Sequence, residues 1–307
     1  MWGMGIYNQS LAAPVNLACS REYELPLIFI DIAQATPEGL WIREKQAVAA
    51  PQGLRTVHLS TFRSPDGMLS SAQDYYPGQT GRSEQIWQAT LGPGATVFAN
   101  HPANASRKHP VAPNFWLGNQ ILPRVGQWKD TLIAIYHLPK EDWMGFTHAY
   151  FPTFAFDEYL LRDNWAFARK GGGYLALTAS TGISLVDRGQ EAFRELRAPG
   201  PDTIWVCQLG RAAQDIDFAH FQEQVLAKKL AFDGLSAQIE TIRGENLSFG
   251  WQGPFRLDGE ELTLESARHY DSLFGEADFP ANSMEVQFGD QILKLDLSSP
   301  DERRDVS

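Results

Sequence analysis

Cysteine is nearly missing from this chain: there are two in 307 residues, Cys19 and Cys207. Their separation excludes a CxxC metal or redox motif, and their apolar settings (LACS and WVCQL) are those of buried free thiols. Positive charge is also short. Lys and Arg number 26 against 37 Asp and Glu, a net charge of −11 at pH 7. That argues against a nucleic-acid binder, which carries a basic face. It favours neutral partners, or an anionic substrate held in a local basic groove on an acidic body. No apolar run reaches the ~18 residues of a membrane span, so no membrane partner is expected. The start MWGMGIYNQS has neither the basic nor the apolar region of a signal peptide. A cytoplasmic location is the expectation for the chain as given, and it lapses if Met1 is an internal start of a longer protein. Chemical signatures are missing too. The seven histidines form no HExxH or HxH, no GxSxG occurs, and no βαβ rhythm points to a dinucleotide fold. No cofactor is expected. A repeat of fixed period is absent, which lowers a propeller or solenoid reading.

What is present is short strands. A 43% hydrophobic and 21% charged composition is globular, with ample material for a core. Period-two alternation marks strands at 26–33, 40–49, 55–63, 67–75, 84–91 and 95–101. Others follow at 145–152, 164–170, 174–180, 203–209, 235–243, 246–251, 254–264, 283–289 and 291–297. The stretch 130-DTLIAIYHL-138 is almost continuously apolar and reads as a central strand. Gly92-Pro93-Gly94, Gly171-Gly172-Gly173, Thr181-Gly182 and Asp258-Gly259 are turn signals between strands. One helix is predicted over 217–232, capped by Asp217, with Phe218, Phe221, Val225 and Leu226 on one face. The expected fold class is all-β: a large antiparallel β-sandwich, supersandwich-like, with one short helix. The expected organisation is a connecting segment at 1–14, a sandwich domain at 15–297 and a polar, frayed tail at 298–307.

Candidate chemistry centres on 99-ANHPANASRKHPVAPNFWLGNQILPR-124, a long connection on the rim of the sandwich. His101 and His109 could share a metal, but no acidic residue lies between them, and the bland reading is two proline-stiffened loops. Asp157-Glu158, set among aromatics, suits a glycosidase pair or a strand end. The fuller constellation is amphipathic. Trp116, Trp128, Trp143, Tyr150, Tyr159 and Trp165 are interleaved with Asn100, His101, Asn114, Asn119, Arg124 and His148. Aromatic faces stack on sugar rings while Asn, Arg and His bond hydroxyls and carboxylates; the same aromatics also serve as sandwich fillers. For a uronic-acid polymer, elimination needs a group that neutralises the carboxylate, a base for the adjacent carbon's proton and an acid for the leaving oxygen. Asn or Arg suits the first role, His or Tyr the others.

The segments 84-EQIWQATLGPGATVFANHP-102, 114-NFWLGNQILPRVGQWKDTLIAIY-136, 144-MGFTHAYFPTFAFDEY-159 and 165-WAFARKGGGYLAL-177 carry a resemblance. They resemble uncharacterised bacterial heparinase II/III-like, polysaccharide lyase-like proteins, in which a C-terminal β-sandwich follows a helical toroid. The resemblance covers most of residues 1–297. It implies a polysaccharide or oligosaccharide ligand, β-elimination, and a helical toroid partner that carries much of the catalytic machinery. It matches a catalytic histidine at His101. Residue chemistry, not the resemblance, adds Tyr150 and His148 as candidate catalytic groups and Asn100, Trp116, Asn119, Arg124 and Trp143 as candidate substrate contacts. The histidine- and aspartate-rich strand motif of the heparinase type is not seen, nor are the toroid's tyrosine and arginine motifs. The alternative is a non-catalytic carbohydrate-binding or structural sandwich.

Overall fold

Residues 130–138 lack the in–out alternation of a surface strand, and the structure shows why. The computed structural model describes residues 25–35, 37–50, 53–73, 85–102, 115–116, 121–265, 268–278, 280–298 and 303–306. Within them, strand β7 (Thr131–His137) is buried along six of its seven residues. It lies in a sheet covered on both faces, where near-continuous apolar sequence is required. Leu132, Ala134 and Tyr136 enter one core, Ile133 and Ile135 the other.

That central sheet has six antiparallel strands. In spatial order they are β6 (Arg124–Trp128), β7, β14 (Asp202–Arg211), β11 (Gly173–Ala179), β10 (Trp165–Lys170) and β9 (Glu158–Arg162). Against one face packs a ten-stranded sheet. Its first half runs β12 (Ser184–Leu185), β13 (Glu195–Pro199), β8 (Phe146–Tyr150), β5 (Ala95–Ala99) and β4 (Trp87–Gly92). Its second half is β3 (Gly67–Gln73), β2 (Gly53–Ser64), β1 (Leu40–Ala50), β20 (Tyr270–Ser272) and β21 (Gly275–Ala277). Here strands alternate: Ala95, Val97 and Ala99 are buried, while Thr96 and Phe98 are only half-buried. The core between these two sheets includes Trp87, Leu177 and Trp205, so the expected sandwich is present.

A third layer covers the other face of the central sheet. It comprises a five-stranded sheet of β15 (Leu230–Asp233), β16 (Ser236–Glu240), β17 (Asn246–Gly250), β18 (Arg256–Leu257) and β19 (Glu260–Glu261). Helix α3 (Phe218–Ala227) joins it after the short turn α2 (Ala212–Asp215). Phe218, Phe221 and Val225 pack on Tyr174, Phe167 and Ile133 in the second core. The Asp217 side chain caps α3 by accepting from the His220 amide at 2.7 Å, as expected. The helix ends earlier than predicted. Lys228 is extended, and 230–233 pairs with β16.

Three other expectations change. Residues 26–33 form helix α1 (Leu27–Gln34), not a strand. A short apolar run is ambiguous between the two. Here Ile28, Phe29 and Ile32, at helical spacing, pack on Val286 and Leu293 of a small sheet. That sheet is β22 (Ser283–Phe288), β23 (Gln291–Asp296) and β24 (Arg303–Val306). Part of the expected tail is therefore paired, since β24 hydrogen-bonds to β23. The turn at Thr181-Gly182 does not join neighbouring strands of one sheet; it hands the chain to the other sheet, where β12 pairs with β13. The triple glycine does join β10 to β11. Gly171 has φ 56°, and a Cβ on Gly172 or Gly173 would overlap Asp66 of the β2–β3 turn. Close approach, not phosphate binding, demands those residues.

A buried ionic knot ties the layers. Asp215 accepts from Arg243 at 2.6 and 3.0 Å and from the Arg211 amide at 2.7 Å. Arg211 reaches Asp66 at 3.0 Å, and Arg243 reaches Asp130 at 3.4 Å. Burial pushes the Asp130 carboxyl up to about 6, against the pull of Arg243. The folded chain therefore holds a proton that the unfolded chain has released, and stability falls as pH rises from about 4 through about 6. Two pKa units correspond to about 3 kcal/mol at most. Relative to wild type, Asp130→Asn should gain stability progressively across that window, then level off. Urea unfolding at several pH values tests this; a difference independent of pH would contradict it.

Candidate functional site

Strand β8 presents Thr147 and Ala149 inward and Phe146, His148 and Tyr150 outward, as the period of two requires. Ala149 lies in the first core. On the neighbouring strand, Leu196 and Ala198 are also core residues, so Glu195 and Arg197 share the outer face with His148. The register pairs Arg197 with His148 and Glu195 with Tyr150. On the other side, β5 places Phe98 opposite Tyr150. The outer face at β5–β8–β13 is thus an aromatic strip with one ionic group set into it.

His148 is the centre of that strip. Its Nδ1 lies 3.1 Å from Glu195 Oε1, and neither side chain has any solvent exposure. Arg197 donates to the other carboxylate oxygen at 2.8 Å. Burial would raise the Glu195 carboxyl, but His148 and Arg197 outweigh it and hold the group ionised. A carboxylate can only accept, so Nδ1 must carry the proton. Burial lowers the His148 pKa despite Glu195, which leaves the imidazole neutral near pH 7. Its Nε2 is then a bare lone pair, buried and without a hydrogen-bond partner among the described residues. Such an orphan polar atom is rare in a core and requires an explanation.

Two rings from the rim connection cover it. Trp116 stacks on the imidazole at 4.3 Å and 12°, and Phe115 meets it edge-on at 4.5 Å. The Trp116 indole N–H donates to Glu191 at 2.6 Å, and Glu191 also pairs with Arg194. Tyr150 stacks on Phe98 at 5.2 Å and touches Trp116 edge-on at the same distance. Partial burial raises the Tyr150 hydroxyl pKa, so it stays protonated and can donate.

His101 follows β5 directly. Its Nε2 bonds Asp142 at 3.0 Å, with both side chains buried, and its Nδ1 has no hydrogen-bond partner among the described residues. Burial would raise Asp142, but the His101 bond and the amides of Met144 and Gly145 lower it further. Two histidines, each tied to a carboxylate and each with one nitrogen unpartnered among the described residues, therefore lie on neighbouring strands, His101 just past the end of β5 and His148 in the middle of β8.

Of the residues singled out in the sequence, His148, Tyr150 and Trp116 meet directly. Buried Asn100 and His101 continue β5 beside them, and Trp143 is next to Asp142 in the β7–β8 connection. Arg124 is elsewhere. It bonds the carbonyls of Gly250 and Gly253 at 2.5 and 2.6 Å and stacks over Phe249 at 4.5 Å. It braces the third layer rather than facing His148. Asn119, His109, Asn114 and Cys19 lie outside the described residues. Asp157 and Glu158 pair with Lys170 and Arg169, and Asp157 also accepts from the Gly171 amide; they pin the β10–β11 hairpin. Cys207 is a free thiol in the core, its pKa pushed up by burial. Glu195, Arg197, Asp142 and Phe115 had not been picked out. For Glu195 and Arg197 the available signal was RELRA, whose alternation puts both on the face opposite Leu196.

No protein-family model matches this chain, and neither a curated protein nor a solved structure gives a significant match. Among the described residues, no helix is long and apolar enough to cross a membrane.

Proposed function

We propose that this chain is a carbohydrate-active β-sandwich domain of the polysaccharide lyase-like type. Its β5–β8–β13 face would form one wall of a cleft for a uronic-acid polymer, with a helical toroid partner opposite. The observation that carries this reading is the bare Nε2 of His148. A neutral imidazole, fixed in one tautomer by an ionised carboxylate, is a general base ready near pH 7.

The elimination then runs as follows. Asn100 or Arg197 bonds the uronate carboxylate and withdraws charge from the adjacent carbon, making its proton acidic. His148 Nε2 takes that proton, and the resulting imidazolium is stabilised by Glu195. The electron pair forms the new carbon–carbon double bond as the glycosidic carbon–oxygen bond breaks. Tyr150 donates its proton to the leaving oxygen. Phe115 and Trp116 must lift for this to happen, since the imidazole has no exposure when they are in place. Trp116 then offers its freed face to a sugar ring.

That same burial favours a second reading: a non-catalytic module in which Trp116 and Tyr150 grip a sugar and His148 only supports them. The full-length chain, incubated with alginate, chondroitin, heparan and polygalacturonate, separates the two. Absorbance of an unsaturated product, lost in His148→Gln, is the expected result. Absence of product from every polymer overturns the lyase reading, and retained binding in that case selects the module.

A further inference from the structure

A cavity elsewhere in the fold shares no residue with the His148 strip. It is a cleft of about 620 Å³ between the start of β6, the end of β3, the β17–β18 connection and residues 261–265. Its floor is apolar, with Ile86, Val125 and Phe255 buried. Its rim is polar, with Trp251 half-buried, Gln73 buried and Glu261, Thr263 and Glu265 exposed. A volume of this size holds a small organic ligand or a few sugar rings.

Two arginines fix the lips. Arg124 clamps the Gly250 and Gly253 carbonyls on one side. Arg43 donates to the carbonyls of Thr263 at 3.0 Å and Glu265 at 2.5 Å on the other. Both guanidinium groups are thus engaged with backbone, which leaves the chemistry of the rim to an indole, an amide, a hydroxyl and two carboxylates. The two guanidinium charges and the two carboxylates offset one another, so the rim carries no net charge that would select an ion. The carboxylates accept hydrogen bonds from the ligand's hydroxyls, Gln73 and Thr263 can both donate and accept, and the Trp251 indole can pack on the apolar face of a pyranose.

We propose that this cleft binds an uncharged pyranose oligomer. The inference is independent of the His148 reading, because the ligand class differs and the lining residues are separate. It gives the chain a second carbohydrate contact that holds neutral sugar while the first faces uronate.

Titration calorimetry on the full chain tests it, with cellohexaose, xylohexaose and mannohexaose as uncharged probes and hexagalacturonate and a glucosamine hexamer as charged ones. Saturable binding of at least one uncharged probe is expected. Trp251→Ala should weaken it by about tenfold, equivalent to about 1.4 kcal/mol. Because Trp251 also packs beside His137 at 5.5 Å, the exposed Glu261→Gln with Glu265→Gln is the companion variant. It should weaken binding several-fold without altering the unfolding midpoint. His148→Gln should leave this binding unchanged. The inference is overturned if no uncharged probe binds, if only charged probes bind, or if binding survives both sets of substitutions.

Discussion

Replacing Asp215 with alanine should cost about 3 kcal/mol of stability, the lower end of the range for breaking a buried pair. The Asp215 side chain has no exposure and receives three donors, two from Arg243 and one from the Arg211 amide. Its removal leaves that amide without its acceptor at the end of β14. Arg243 is 26% exposed and keeps Asp130, so it can partly rehydrate; this holds the figure at the low end. Asp215→Asn keeps the shape but sets an NH2 donor against at least one of these donors, so it should still cost about 2 kcal/mol. The carboxylate is tightly packed in the native fold. A Cβ on neighbouring Gly210 would already overlap both Phe221 and Asp215. Urea unfolding at neutral pH measures the difference. A loss under 1 kcal/mol would show that the layers are held by their apolar cores alone.

Glu195→Gln should leave the fold nearly intact and impair the site. The glutamine can still accept from His148 Nδ1, and Arg197, with its side chain 40% exposed, can turn to solvent. What is lost is the negative charge that raises the His148 pKa against its burial. The imidazolium formed when Nε2 takes a proton is therefore less stable, and the acid limb of any pH–rate profile should move to lower pH. On the lyase reading, turnover should fall by about 10²-fold, within the range for impairing a general base. A purely structural role for Glu195 would change the unfolding midpoint and leave the limb in place.

Much of this arrangement could be read before any coordinates. The apolar run at 130–138 announced a strand buried on both faces. Gly92-Pro93-Gly94 and Asp258-Gly259 marked hairpins that are present. His148 and Tyr150, two apart in a strand, had to share a face. Other features depend on contacts that one sequence does not order. Whether 26–33 coils or extends is decided by Val286 and Leu293, more than 250 residues later. The third layer follows from how the central sheet is covered, which alternation within one strand does not reveal. Glu195 reaches His148 across 47 residues, through a short strand with a proline in it. Arg124 was grouped with the histidines because it closes the same connection in sequence; the chain instead enters the far edge strand there, beside Gly250. Charge and aromatic type identified the right kinds of residue, while strand order decided which of them meet.

The central claim is that His148 holds a bare Nε2 that a uronate sugar can reach. Imidazole nitrogen resonances of the histidine-labelled full chain, assigned for His148 with the His148→Gln variant, test it most directly. Near pH 7 the account predicts a proton on Nδ1 and none on Nε2. Addition of a uronate tetrasaccharide should then shift the Nε2 resonance as Phe115 and Trp116 lift. A proton found on Nε2, or a tetrasaccharide that leaves both nitrogens unmoved, would contradict it.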